Sequence, residues 1–134
     1  MKPDALMAKA LRAVESAKLL LDAGDVGGAC NRAYYGMFDA ARAALHWSNA
    51  PVEPTVAKTH SGLISAFGLH LVKTGRLPAE LGKALNRAAE IRQIADYTGD
   101  EVTAEKARWA IEQAAFFVEV VQRQLAPTAD PKRE

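Results

Sequence analysis

Apolar residues recur every three or four positions along five stretches of the chain, which is the spacing of one face of an α-helix. The first stretch runs from Pro3 to Ala23 and ends in the turn sequence DAGDVGG. The second begins after Asp25, a residue type that caps helices, and ends before SNAPVEP. No segment alternates strictly between apolar and polar residues, so the pattern predicts helices and no strands.

Proline, glycine and threonine mark the limits of three further helices. The third begins after Pro54, the fourth has Pro78 as its first residue, and Thr103 caps the fifth. Two glycines inside the third helix, Gly62 and Gly68, predict close packing against another helix. The chain is therefore predicted to be all-α, an up-and-down bundle of four to five helices with short connections.

The last helix carries apolar residues on a second flank. Trp109, Phe116 and Val120 fall outside the stripe that faces the predicted core. A helix that buries two sides needs a second partner, and another copy of the chain is the natural one. This flank predicts a homodimer.

Size and charge narrow the class of protein. The 134 residues with 49 % apolar residues suffice for one domain, predicted over residues 1–126, while residues 127–134 have nothing to bury and are predicted to be disordered. The formal net charge is +1, so any contact with nucleic acid must come from a local patch. With one cysteine and no long apolar span, we expect a cytoplasmic protein without membrane contact.

The second helix has a polar face opposite its apolar stripe. Its members, at spacings of three and four, are Arg32, Tyr35, Asp39, Arg42 and His46. One interpretation is a solvated surface with weak intrahelical ion pairs. The other is a contiguous binding site.

The sequence RQIADY near the end of the fourth helix contains a second candidate group. Arg92 could bind phosphate and Tyr97 could stack on a ligand, or Arg92 and Asp96 could form an ordinary ion pair. His60 lies on the apolar stripe of the third helix, where a partly buried histidine bonded to backbone is expected more often than a general base. The spacing of histidines and cysteine predicts neither a metal site nor a cofactor.

Three blocks carry a family resemblance over residues 5–125, in the order RAYYGMFDAARAAL, KTHSGLISAFGLHLVKTGRLPAELGKALN and EIRQIADY. Together they resemble the HEPN superfamily, the higher eukaryotes and prokaryotes nucleotide-binding domain, and its small stand-alone prokaryotic members. The resemblance implies a helical bundle, commonly a homodimer, and often a toxin–antitoxin pairing with a minimal nucleotidyltransferase. In such pairs the HEPN protein is typically a metal-independent ribonuclease.

The resemblance also implies a nuclease motif, in which arginine and a polar residue precede a histidine further along the same helix. Arg92 and Gln93 match its beginning, but Asp96, Tyr97 and Thr98 stand where the histidine is expected. Aspartate, with a pKa of about 3.9, and tyrosine, with a pKa of about 10, are poor bases near neutral pH.

An imidazole from another helix, on His60 or His46, could replace the missing histidine if it lies beside Arg92. In related toxins the partner adds adenylate to a tyrosine beyond the motif, and Tyr97, Tyr34 or Tyr35 could be the target here.

Three hypotheses follow. The first is a dimeric module that binds RNA or a nucleotide and a nucleotidyltransferase partner. The second is a metal-independent ribonuclease that uses Arg92 with a non-standard proton-transfer group, and the third is an inactive helical scaffold. The candidate catalytic residues are Arg92, Asp96, Tyr97 and His60, and the candidate binding residues are Asn31, Arg32, Tyr35 and Asp39.

Overall fold

The computed structural model describes residues 1–98 and 102–127, and these residues form helices and no strands. The predicted all-α fold is confirmed. The helices are α1 (Pro3–Asp22), α2 (Val26–Trp47), α3 (Pro54–Ala57), α4 (His60–Phe67), α5 (Ala79–Gln93) and α6 (Ala104–Leu125). Two π-helical turns extend α4 over Gly68–Val72 and α5 over Ile94–Thr98. None of the described helices has the length and hydrophobicity needed to cross a membrane.

Helix α2 lies at the centre of the bundle. It packs against α1 and α6 on one side and against α4, α5 and the π turn after α5 on the other. Asp25 caps α2 as predicted, because its side chain accepts a hydrogen bond from the Gly28 backbone N–H. Because α2 contacts helices on both of these sides, its polar side chains lie between α2 and its neighbouring helices.

Small residues allow α1 and α2 to approach closely. Gly36 of α2 faces Val14 and the backbone oxygen of Ala10 in α1, and a Cβ built at Gly36 would lie 3.2 Å from Val14 Cγ2. Ala13 and Ala33 at this level are also buried. The alanine-rich sequence of α2 is therefore explained by close helix packing.

The predicted third helix is broken into two. Thr59 is extended, and its hydroxyl accepts a hydrogen bond from the Gly62 backbone N–H, so a new helix begins at His60. His60 is consequently exposed, while Leu63, Phe67 and Leu71 of this segment are buried. The prediction that His60 lies on the buried stripe and bonds to backbone is wrong, because the cap at Thr59 changes which residues face inward.

The two glycines of this segment have different roles. A Cβ at Gly62 would overlap the Val56 carbonyl oxygen and the Thr59 hydroxyl, so the glycine is needed by the turn that joins α3 to α4, both within the predicted third helix. A Cβ at Gly68 would meet nothing within 4 Å, and the predicted packing against another helix is wrong there. Pro78 is the N-cap of α5 and not its first helical residue.

The predicted second apolar flank of α6 is wrong at one of its three residues. Phe116 is 43 % exposed and Trp109 is half-buried, but Val120 is in the core. Thr103 caps this helix as predicted, accepting from the Lys106 backbone N–H. Of the tail predicted to be disordered, residues 128–134 lie outside the described residues.

Candidate functional site

Arg92 lies in the last turn of α5 with its side chain almost entirely buried, at 5 % exposure of the residue. The central carbon of its guanidinium group is 5.3 Å from the ring centroid of Tyr34, 5.7 Å from that of Tyr35 and 5.5 Å from that of Tyr97. These separations fall within about 6 Å, the range of cation–π attraction. Three tyrosine rings therefore surround one buried positive charge.

Asp96 neutralises part of that charge. Its Oδ2 lies 3.3 Å from Arg92 Nη1 and accepts a hydrogen bond of 3.0 Å from the Asn31 amide, which connects α5 to α2. Arg92 Nε is buried and has no hydrogen-bond partner among the described residues. Since buried donors are normally satisfied, this guanidinium group retains unused hydrogen-bonding capacity.

The π turn after α5 holds Asp96 and Tyr97. Within it the Thr98 hydroxyl donates a 2.8 Å hydrogen bond to the Ile94 carbonyl oxygen. Turns of this kind occur often at functional sites because they alter the direction of side chains along a helix. Here Asp96 points to Arg92 and Asn31, while Tyr97 is 74 % exposed with its ring against the guanidinium group.

His60 joins the same group from the start of α4. Its Nδ1 is 2.7 Å from the hydroxyl of Tyr34, and its Nε2 is 3.4 Å from the hydroxyl of Tyr35. Which atom donates depends on the imidazole tautomer. The ring of Phe38, 5.3 Å away by centroids, supports His60 from α2. We call Asn31, Tyr34, Tyr35, His60, Arg92, Asp96 and Tyr97 the Arg92 cluster.

Burial and the charge of Arg92 change the proton affinities in the cluster. Although His60 is exposed as a whole, its imidazole is partly desolvated by the neighbouring rings, and this desolvation, with a contribution from Arg92, lowers its pKa below 6.5, so the imidazole is neutral near pH 7. Burial raises the pKa of Tyr34 to about 12, although Arg92 opposes this shift. Tyr34 therefore keeps its proton, and His60 has a nitrogen that can accept one.

The structure separates the predicted polar face of α2. Asn31 and Tyr35 belong to the Arg92 cluster, and the Arg32 guanidinium carbon lies 5.9 Å from the Tyr35 ring centroid at the edge of the cluster. Asp39 lies elsewhere: it is buried at 3 % exposure, and its carboxylate is 3.9 Å from both Lys9 Nζ and Arg42 Nη1.

Burial accounts for the proton affinity of Asp39. It raises the pKa of this carboxyl group, an effect that Lys9, Arg42 and Arg32 oppose. Asp39 thus belongs to the contact between α1 and α2, away from the Arg92 cluster.

Tyr34 is the member of the cluster that is absent from the predicted catalytic and binding residues. It falls on the apolar stripe of α2 and is fully buried, as the pattern predicts for a core residue. Its hydroxyl nevertheless meets His60. A buried tyrosine hydroxyl needs a hydrogen-bond partner. The position of Tyr34 on the apolar stripe therefore already indicated that a polar group lies beside it.

The chemistry of the cluster suits an aromatic and anionic ligand. Across residues 1–98 and 102–127, no three His, Cys, Asp or Glu side chains are grouped so that they could hold a metal ion. The cluster instead offers a guanidinium group, an exposed tyrosine ring and a neutral imidazole. Such groups bind phosphates, stack on bases and transfer protons.

Comparisons with known proteins agree with the three sequence blocks. A family model described as the HEPN domain matches residues 4–124. A UPF0332 protein of Gloeobacter violaceus is 36 % identical over 90 % of this chain and 94 % of its own length. A protein of Methanocaldococcus jannaschii named "Putative toxin MJ0605" is 34 % identical over 84 % of this chain and 80 % of its own length. The chain belongs to the HEPN domain family.

Proposed function

We propose that this protein is the HEPN component of a toxin–antitoxin-type pair and that the Arg92 cluster binds RNA or a nucleotide. The observation that carries the proposal is the burial of Arg92 among three tyrosines beside a neutral histidine, contributed by helices α2, α4 and α5. Two relatives in Methanocaldococcus jannaschii that bear the name "Putative toxin" support the biological role. An inert scaffold would not require a cation to be held in this way.

The cations of the cluster are suited to a phosphate group. Arg92 supplies a fixed positive charge beneath the surface, and its Nε has no partner among the described residues. Arg32 is half-buried beside Tyr35, and within the described ranges it forms no ion pair of 4.0 Å or less. A ligand phosphate would therefore meet at the rim the Arg32 guanidinium group, which has no close carboxylate partner among the described residues, and would compete with Asp96 for that of Arg92.

Tyr97 is suited to a base. Its ring is 74 % exposed although one face lies against Arg92, so the outer face is open to solvent. Exposed aromatic rings beside positive charge are the usual stacking platforms of proteins that bind single-stranded nucleic acid.

The binding test uses Tyr97→Ala with Tyr97→Phe as the matched control. The probe is a labelled 2′-O-methyl oligoribonucleotide of eight residues, which lacks the 2′-hydroxyl needed for self-cleavage. Loss of the ring should weaken binding about tenfold, since base–aromatic stacking contributes about 1–3 kcal/mol per base, and the phenylalanine variant should bind like the wild type. Equal affinity of all three proteins would contradict stacking on Tyr97.

RNA cleavage is the second candidate function, and the position of His60 favours it. The α5 motif lacks its histidine, but His60 and Arg92 contact the same two tyrosines, whereas in the described part of the chain no hydrogen bond or ring contact joins His46 to the cluster. His60 would take the proton of a ribose 2′-hydroxyl as the O2′–P bond forms. The P–O5′ bond would then break, the 5′-oxygen would take a proton from water, and Arg92 would stabilise the phosphorane charge.

Expression of the protein alone and together with the proposed nucleotidyltransferase partner separates binding from cleavage. For a nuclease, the wild type alone arrests growth and fragments RNA, and His60→Ala abolishes both effects while His70→Ala, at a histidine outside the Arg92 cluster, retains them. Arg92→Lys, which keeps the charge but not the planar fork, should reduce cleavage strongly. Intact RNA with wild-type protein would contradict the nuclease function and leave the binding proposal to the oligonucleotide test.

The assembly is the last part of the proposal. We infer a homodimer through α6, supported by the exposed Phe116 and half-buried Trp109, which lie two turns apart on one flank. We also propose a minimal nucleotidyltransferase as partner. Co-purification of the two proteins after co-expression tests this pairing, and separate elution would contradict it.

A further inference from the structure

A cavity of about 480 Å³ lies between the end of α2 and the segment that leads through α3. Its lining includes the polar side chains of Arg42, His46, Asn49 and Lys58, and Leu45 and Val52 contribute apolar surface. This volume is within the usual range of ligand sites, about 300–1,000 Å³.

The cavity and the Arg92 cluster share two walls. On α2, Tyr35 of the cluster and Arg42 of the cavity are seven residues apart, which places them on the same side of the helix about 10 Å apart along its axis. On the opposite wall, Lys58 of the cavity and His60 of the cluster are separated only by the extended Thr59. The two sites therefore follow one another along the same pair of elements.

Positive charge is less neutralised in the cavity than in the cluster. No acidic side chain of the described residues lines the cavity, and Lys58 has no carboxylate within 4.0 Å in this part of the chain. Arg42 forms a long ion pair with Asp39, with 3.9 Å between Arg42 Nη1 and Asp39 Oδ1. In the cluster, by contrast, Asp96 lies directly beside Arg92.

We propose that the Arg92 cluster and the cavity form one groove for single-stranded RNA, with a backbone phosphate of the strand bound by Arg42, His46 and Lys58. This inference rests on the proposed function and specifies its ligand as a strand. A mononucleotide in the cluster would leave the cavity empty. At about 3.4 Å per nucleotide of a stacked strand, about four nucleotides reach across the 10 Å between the two sites.

The experiment compares a dinucleotide and an octanucleotide, both 2′-O-methyl oligouridylates, on the full chain. Lys58→Glu is the test variant, because Lys58 is exposed and its replacement leaves the core intact. Lys83→Glu is the control, an exposed lysine on α5 that does not line the cavity. The wild type should bind the octamer at least about tenfold more tightly than the dinucleotide.

Lys58→Glu should remove most of that gain, leave the dinucleotide affinity unchanged, and reduce the salt dependence of octamer binding by about one in the log–log slope. Lys83→Glu should change neither affinity. Equal binding of the two lengths, or a length gain that Lys58→Glu does not reduce, would overturn the groove while the proposed function stands. Failure of the wild type to bind either oligomer would overturn the proposed function and the groove together.

Discussion

At the scale of single residues, the feature that needs explanation is the buried Arg92. Taking a guanidinium group out of water is costly unless hydrogen bonds and an opposite charge compensate, yet this group has one carboxylate contact and a buried Nε without a partner among the described residues. Three tyrosine rings replace part of the lost hydration. A charge retained under these conditions is better explained by binding than by stability.

The proton affinity of His60 reports on this arrangement. We predict that an NMR titration of the folded protein gives His60 a pKa below 6.5. Arg92→Ala should raise the pKa of His60 because the guanidinium charge is removed, whereas Arg92→Lys, which keeps the charge, should leave the pKa close to that of the wild type. Since the folded state then binds fewer protons than the unfolded state, His60 makes stability rise with pH up to about 6.5. A His60 pKa unaffected by Arg92→Ala would show that the two groups are not neighbours.

The sequence predicted several residues of the Arg92 cluster, but it did not predict which side chains they contact. The sequence RQIADY identified Arg92, Asp96 and Tyr97, and helical spacing identified Tyr35. Helical spacing also grouped Asp39 with Tyr35, although the structure turns Asp39 toward Lys9 of α1. A polar face drawn on one helix does not reveal which neighbour covers each part of it.

At the scale of elements, two local interruptions build the site. The cap at Thr59 begins a new helix at His60, and the π turn over Ile94–Thr98 holds Asp96 and Tyr97. Periodicity predicted the long helices well because α1, α5 and α6 each bury a stripe of apolar residues, and the stripe of α2 also lies in the core although this central helix is buried on further sides. It missed the interruptions because neither a hydroxyl cap nor a widened turn has a signature of its own in the spacing of apolar residues.

The contact between α1 and α2 gives a stability prediction. Gly36→Val should destabilise the fold by about 1–3 kcal/mol, because its Cβ would begin 3.2 Å from Val14 Cγ2 and the branched side chain would overpack the interface. Gly68→Ala is the control: its helical backbone and open surroundings should give a gain of up to about 1 kcal/mol. Urea unfolding measures both, and equal stability of Gly36→Val and wild type would contradict the close approach.

At the scale of the whole molecule, the long amphipathic stripes predict a helical bundle, and α2 becomes its centre because small residues let α1 lie close against it. The resemblance of three sequence blocks identified the family, which the match over residues 4–124 confirms. The sequence could not predict whether His60 lies beside Arg92, because these residues are 32 positions apart and meet only through the packing of α4 and α5 on α2.

The proposed dimer gives a prediction for the assembled molecule. Phe116→Glu should convert a dimer into a folded monomer, because it places a charge on the exposed flank of α6 without touching the core. Leu19→Glu, at a side chain 70 % exposed on α1, should leave the dimer intact. Light scattering coupled to size exclusion measures the masses, and a monomeric wild type at micromolar concentration would contradict the two-chain assembly.

The central claim, that the Arg92 cluster is the nucleic-acid site, is tested most directly by NMR mapping of the wild-type protein with the 2′-O-methyl octamer. The account predicts that the largest amide shifts fall in three segments, residues 31–35, 58–60 and 92–97, with smaller shifts in residues 42–46 beside the cavity and with α6 largely unaffected. Absence of shifts at saturating octamer, or shifts confined to residues outside those three segments, would contradict it.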